Sequence, residues 1–287
     1  GCTDSYADNY DDTANVDDGS CEYPSPYNNA ISFDGNDDYI VIPDLDVGNT
    51  YTVEANVLLR NNDIGDQDFY SIINGWSGDG ANTNCQFGVI APHGQGYDNK
   101  LAFWKNGAGS VFGTEPARGI YLKINLVRND SNFKLYINNE LVENEEHSGW
   151  NDDLFNRIGS WQINDGHIGN RETWNGEMDV LKVWNYAFTN EEINQSYSDD
   201  NSNNLIANYQ FNAGDGNILY DHSGNGNHGT INGATWVENI YGCTDESAFN
   251  HNPDADFDDG SCVYDPFVFN QSQNQSFYYF QSATIDD

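Results

Sequence analysis

Residues 120–142 read IYLKINLVRNDSNFKLYINNELV, and the reading of this stretch decides the fold. Apolar and polar residues alternate through IYLKINLV, stop at NDSN, and alternate again through FKLYIN before NN begins a second turn. A period of two puts successive side chains on opposite faces of an extended chain, so each run reads as a half-buried strand. Asn and Asp tolerate the left-handed backbone that tight hairpins need, so NDSN and NN read as turns.

The same grammar recurs outward in both directions. AISF, DYIVIP, YTVEANVLL, FYSII, CQFGVIA, KLAFW and EMDVLKVWNYA are short β-branched or alternating runs parted by Gly, Asn and Asp. Many short strands with such punctuation predict an all-β, antiparallel jelly-roll β-sandwich over residues 24–241. Only TNEEINQSY reads as a helix, with Thr189 and Glu192 forming a capping box. Cys85, in CQFGVIA, reads as a small core hydrophobe.

One segment occurs twice. Residues 1–23 (GCTDSYADNYDDTANVDDGSCEY) and 242–264 (GCTDESAFNHNPDADFDDGSCVY) are identical at 13 of 23 positions without gaps. Each is too small and polar to build a core and needs another staple. Cys2 and Cys21 match Cys243 and Cys262, which predicts one disulfide within each copy; zinc is disfavoured because neither copy has a CxxC or clustered histidines. Calcium is the second staple. Asp11, Thr13, Asn15, Asp17 and Asp18 precede Gly19, in register with Asn252, Asp254, Asp256, Asp258 and Asp259 before Gly260. Alternate oxygen-bearing residues of a curled loop can point at one hard cation.

Lys and Arg total 10 against 46 Asp and Glu, a formal charge of −36. That excludes nucleic acid as a partner, because phosphate contacts need clustered cations. It argues equally against an anionic membrane surface, and no apolar run approaches bilayer length, so no direct membrane insertion is expected. The acids read as an adaptation to salt, as calcium ligands, or both. The chain starts at Gly1 and stops mid-pattern at QSATIDD, which reads as a processed or excised piece of a secreted, cell-surface protein. The tail 265–287 reads as two strands that begin a further β domain or are donated to a neighbour.

The two copies resemble thrombospondin type 3-like calcium repeats of large secreted bacterial proteins, on GCTD, DDGSC and the oxygen ladder, although the full DxDxDGxxDxxD pattern is absent. That resemblance implies a rigid calcium-dependent spacer. Between them, ISFDGNDDYIVIP, FKLYINNELV, HIGNRETWNGEMDVLKVWNYAFTNEEI and LIANYQFNAGDGNILYDHSGNGNHGTINGATW resemble the concanavalin A-like, laminin G-like jelly rolls of secreted bacterial proteins. This implies two curved sheets, a structural calcium for which Asp34 and Asp179 are the matching positions, and ligand recognition on a face or rim.

Laminarinase-like glycosidases share that sandwich and carry E-x-D-x-x-E on one strand. Here Glu177, Asp179 and Lys182 stand in that pattern, so its third acid is missing. No GxSxG or HExxH occurs either, and the chain reads as non-catalytic. His222 and His228, in DHSGNGNHG, read as turn residues in preference to a zinc pair.

Sugar recognition needs exposed aromatic faces with amides or carboxylates beside them. Trp76, Trp150 and Trp174 sit in polar, loop-like contexts and are the candidates, while Trp184 and Trp236 read as core. The leading expectation is a calcium-binding adhesion or carbohydrate-binding module whose partners are a polysaccharide or glycoconjugate and neighbouring domains of the same protein. The alternatives are a structural subunit of a surface fibre, joined by calcium repeats and donated strands, and an auxiliary domain of a polysaccharide-degrading enzyme.

Overall fold

The computed structural model of the chain describes residues 1–16, 18–23, 29–62, 69–75, 85–91, 99–105, 108–161 (108–111 by backbone), 172–195, 204–258 and 260–264. Asp17, Asp259, Trp76 and the segment 265–287 lie outside them. The first strands are β1 (Asn29–Asp34), β2 (Tyr39–Gly48), β3 (Thr50–Leu59), β4 (Phe69–Gly75), β5 (Cys85–Ile90) and β6 (Leu101–Lys105). Next come β7 (Ala108–Val111), β8 (Tyr121–Asn129), β9 (Asn132–Ile137), β10 (Glu140–Glu146), β11 (Asp153–Ile158) and β12 (Asn175–Trp184). Past α1 (Asn190–Asn194) lie β13 (Leu205–Tyr209), β14 (Ile218–Leu219), β15 (Gly229–Asn232) and β16 (Thr235–Glu238).

These strands make two eight-stranded sheets. The first runs β10-β9-β8-β3-β12-β1-β16, with β13 also paired to β12; the second runs β14-β15-β2-β11-β4-β5-β6-β7. Every pairing in them is antiparallel. The 120–142 stretch forms the hairpins β8–β9 and β9–β10. Asp130 turns the first at φ 57°, and Asn138 and Asn139 turn the second at φ 49° and 68°. Both turns use the left-handed region that Asn and Asp tolerate best among residues with a side chain.

Inward-facing side chains from both sheets share one core. Phe33, Val53, Ile124 and Leu181 of the first sheet meet Ile40, Phe87, Phe103 and Ile158 of the second, all fully buried. Alternation carries the pattern, as in β3, where Tyr51, Val53, Ala55, Val57 and Leu59 are the buried side of the strand. Cys85 is buried in this core as a free thiol, and burial raises its pKa well above the ordinary value. Outside the first sheet, Trp184, Val127 and Tyr136 form a second cluster roofed by Phe188, Ile193 of α1 and Leu205. The capping box is present: Thr189 Oγ1 accepts the Glu192 N–H while the Glu192 carboxylate accepts the Thr189 N–H.

A buried ionic clasp ties the two sheets at one end. Lys105 Nζ lies 2.5 Å from Asp153 Oδ1 and donates also to the Asn151 and Asp152 carbonyls. Arg128, from the other sheet, pairs with the same carboxylate, and Tyr51 OH donates to Asp153 Oδ2 at 2.9 Å. With both cations and the carboxylate hydrogen-bonded, the clasp meets the condition under which buried charge is tolerated.

By internal contacts the chain divides into Gly1–Asn239 and Ile240–Asp287. The first repeat therefore belongs to the sandwich unit and the second stands in its own. Disulfides Cys2–Cys21 and Cys243–Cys262 close the two repeats. Several of their internal hydrogen bonds correspond. Asp11 N–H donates to Cys2 O as Asn252 N–H does to Cys243 O, and Tyr23 OH donates to Asp4 as Tyr264 OH does to Asp245, both at 2.7 Å. In the second repeat β17 (Tyr241–Gly242) pairs in parallel with β18 (Phe257–Asp258).

Candidate functional site: a polar row across the second sheet

The cross-strand register of the second sheet lines up Val41, Arg157, Asn74, Gln86 and Trp104 on β2, β11, β4, β5 and β6. Each is flanked in sequence by a core residue (Ile40, Ile158, Ile73, Phe87 and Phe103), so the row projects from the opposite, outer face. Its two ends are open: Val41 is 40% and Trp104 38% exposed. Its middle is covered, with Asn74 fully buried.

The middle is also incompletely satisfied. Asn74 Nδ2 donates to Ser71 Oγ and Ser160 O, but among the described residues Asn74 Oδ1 is buried without a partner. Its cross-strand neighbour Arg157 stacks its guanidinium 5.3 Å over the Tyr39 ring and leaves Nη1 buried without a partner among the described residues. Burial lowers the pKa of that guanidinium, against the opposing influence of Tyr39. Gln86 Nε2 lies 3.4 Å from Glu172 Oε2. A buried polar group without a partner costs free energy comparable to a lost hydrogen bond, so Asn74 Oδ1 and Arg157 Nη1 each mark a place for a buried water.

The backbone beside the row is held by Gly159. Its φ is +79°, and a Cβ there would stand 2.2 Å from the Phe33 ring, so only glycine fits. From it the chain leads to the Ser160–Thr173 bridge.

The tryptophans chosen from sequence do not form this surface. Trp174 is a correction: it is 1% exposed, because the strand that follows it draws the indole into the main core. Trp150 is a second correction. It packs against that core with its ring parallel to His147 at 4.7 Å, while its carbonyl accepts from Arg128. Trp76 lies outside the described residues. Trp104 offers the exposed indole face instead.

Asp34 and Asp179 are not brought together. Asp34 lies opposite Asn175 in the β1–β12 ladder, four residues from Asp179, which is roughly 13 Å along the strand. Asp179 accepts instead from Asn56 and Asn239, and Glu177 from Arg60 and Tyr121, all within the first sheet unit. Asp34 gathers with Asp37 and Asp38, whose carboxylate oxygens lie within 4.8 Å of one another. Asp38 is 6% exposed and accepts the Asp34 N–H at 2.7 Å. Burial, with the neighbouring charges of Asp34 and Asp37, pushes its carboxyl up to about 6. Each of the three offers one carboxylate oxygen, the ligand type a hard cation takes.

In the repeats the described ladder residues act as turn formers. Asp11 Oδ1 accepts from Thr13 N–H and Oγ1, Asn15 Nδ2 donates to Thr13 O, and Asp18 Oδ1 accepts from Ser20 N–H. Asn252 Oδ1 accepts from Asp254 N–H, Asp256 from Ile240 N–H, and Asp258 Oδ1 from Gly260 N–H. Among the described residues no three of these carboxylates converge.

His222 and His228 sit where the first repeat meets the sandwich. Tyr23 stacks on Tyr220 at 5.6 Å and meets His222 and His228 edge-on at 5.1 and 5.3 Å. His228 Nε2 lies 2.5 Å from Asp4 Oδ2, while its Nδ1 accepts the Asp221 N–H. Asp221 is buried, with its carboxylate taking Asn208, Ser223 and Asn227 N–H groups and the Ser223 hydroxyl, so its oxygens are engaged in shaping the loop.

The chain belongs to the concanavalin A-like lectin/glucanases superfamily, whose laminin G-like family model matches residues 34–194. None of the curated proteins matches the sequence significantly. Among solved structures it is similar to a protein from Bacteroides ovatus ATCC 8483 provisionally described as carbohydrate binding, with TM-score 0.54 and 18% identity over 76% of this chain. The alignment spans 61% of that protein's length. It is also similar to a heptameric SAP-like pentraxin from Limulus polyphemus (TM-score 0.44, 18% identity, 60% of this chain and 82% of that one). A third likeness is domain 4 of AbnA, a GH43 extracellular arabinanase from Geobacillus stearothermophilus solved with arabinotriose (TM-score 0.42, 16% identity, 58% and 75%).

Proposed function

We propose that the chain is a non-catalytic, extracellular carbohydrate-binding module of a multidomain surface protein, and that it binds glycan on the outer face of the second sheet. The observation that carries this reading is the exposed indole of Trp104, in one cross-strand row with the polar residues Gln86, Asn74 and Arg157. A sugar ring offers an apolar face for the indole and hydroxyls that both donate and accept toward polar groups beside it. Superfamily membership and the description given to the Bacteroides ovatus protein support the same class. The two disulfides support an oxidising, extracellular setting.

Calcium is the second part of the reading. Asp34 with Asp37 and Asp38 would hold one ion, which would neutralise their mutual repulsion and fix the turn between β1 and β2. The repeats carry the alternating oxygens of the ladder and would act as calcium-stiffened spacers.

The test is a glycan array of marine and cell-surface polysaccharides probed with the intact chain in calcium, followed by titration of each hit. Trp104→Ala, which removes an exposed ring, should weaken the hit about tenfold or more at an unchanged melting temperature. Incubation with the bound glycan should release no shorter products. Absence of any glycan binding, or binding untouched by Trp104→Ala, would remove this site, and hydrolysis would remove the non-catalytic reading.

A further inference from the structure

The two repeats share one fold, yet one face of that fold is covered in the first and open in the second. Tyr23 is 8% exposed because it packs on Tyr220, His222 and His228; its counterpart Tyr264 is 58% exposed. Tyr264 is nevertheless held in the same way, its hydroxyl 2.7 Å from Asp245 Oδ2, while Asp245 Oδ1 accepts the Ser247 N–H as Asp4 Oδ1 accepts the Tyr6 N–H. The contact pair is thus built alike in both copies.

We propose that the second repeat is a connector that seats on another sandwich of this kind. Its Asp245–Tyr264 pair would take, against Tyr220, His222 and His228 of a second copy, the place that Asp4–Tyr23 takes within the first unit. The occupant follows from that existing interface, which is already a contact between this repeat fold and this sandwich surface.

The differences between the repeats fit a contact made between separate molecules. Asp8, whose charge acts on Tyr220, and Glu22, joined to it by a backbone hydrogen bond, are replaced by Phe249 and Val263, joined in the same way. Phe249 is 72% and Val263 41% exposed. The exchange removes two negative charges where the partner itself carries −36, and it supplies apolar surface to bury. Ser247 stands where Tyr6 meets the His228 ring at 5.0 Å, so one ring contact of the first repeat is not reproduced. In the intact chain the tethered first repeat fills the seat at an effective concentration on the order of millimolar, so a second molecule reaches it only once it is vacated.

The experiment uses two full-length chains. The receptor carries Asp4→Ala and Tyr23→Ala to open its seat, with Asp245→Ala and Tyr264→Ala so that it cannot fill the seat itself. The ligand is the unaltered chain. Sedimentation velocity should show a one-to-one complex that Tyr264→Ala in the ligand weakens at least tenfold, and that His228→Ala in the receptor also weakens. A receptor opened by Tyr23→Ala in place of the Asp4/Tyr23 pair gives a second route should the first fail to fold. No complex with a folded receptor at concentrations approaching millimolar, or a complex indifferent to Tyr264→Ala, would overturn the proposal.

Discussion

Lys105 Nζ lies 2.5 Å from Asp153 Oδ1, and both side chains are sealed from solvent at 1% and 0% exposure. The carboxylate also takes Arg128 and Tyr51 from the facing sheet, so one buried charge organises two cations and a phenol. Breaking a buried pair from one side leaves a charge without compensation and costs about 3–5 kcal/mol. Lys105→Met and Asp153→Asn should each lower stability by that order in urea unfolding. Wild-type midpoints for both variants would show that the clasp contributes little.

Gly159 should tolerate no side chain. Its positive φ and the Phe33 ring at 2.2 Å from a built Cβ combine backbone strain with a core clash. Gly159→Ala should lower stability by about 2 kcal/mol or more. A change under about 0.5 kcal/mol, the usual scatter of surface substitutions, would show that the turn can shift.

Asp38 gives the calcium reading a signed test. Its folded value of about 6 is above the ordinary 3.8, so the stability it contributes is complete below the unfolded value and is lost as pH rises through 6. In chelator at matched ionic strength, this group should make the chain less stable at pH 7.5 than at pH 4, by up to about 3 kcal/mol. Calcium should recover that loss by binding the folded state, and Asp38→Asn should remove both the slope and the recovery at this site. Identical melting curves with calcium and with chelator would dismiss bound calcium.

The seam of the first repeat should fail at acid pH. Burial pushes the Asp4 carboxyl up, but hydrogen bonds from Tyr6 N–H, Tyr23 OH and His228 hold it below the ordinary value on balance. A depressed carboxyl stabilises above its unfolded value and loses that contribution as pH falls through its folded one, here below about 4. Tyr23 ring resonances should move toward exposed values over that range, and Asp4→Asn should move them at neutral pH. An unmoved Tyr23 at pH 3 would place the strength of the seam in ring packing alone.

The parts of the fold that were legible in the sequence are those written locally. NDSN and NN specify their own turns, Thr189 and Glu192 specify a helix start, and the matched cysteines close the repeats they sit in. The candidate site was not legible, because register brings it together. Asn74 and Arg157 are unremarkable polar residues in SIING and FNRI until β4 and β11 pair, and only then do they become cross-strand neighbours. The loop tryptophans misled for a related reason. Polar flanks describe a residue's neighbours in sequence, whereas Trp174 and Trp150 answer to strands packed across the core. Likewise Asp34 found its carboxylate partners three and four residues away, not on the strand that a family pattern suggested.

An edge strand of the first sheet, β10, reads ELVENEE and is interrupted by a bulge between Leu141 and Glu143. An uncovered edge is a template on which another chain can add a strand, and charge or irregularity is how such growth is refused. Two copies meeting along β10 would set Glu140, Glu143, Glu145 and Glu146 against their own kind. Ionic strength is therefore a solubility control for this molecule. Near 1 M salt the Debye length shrinks to about 3 Å and the glutamates no longer repel at a distance. What then stands between a dispersed protein and a ribbon of shared sheets is the single misfit residue in the ladder.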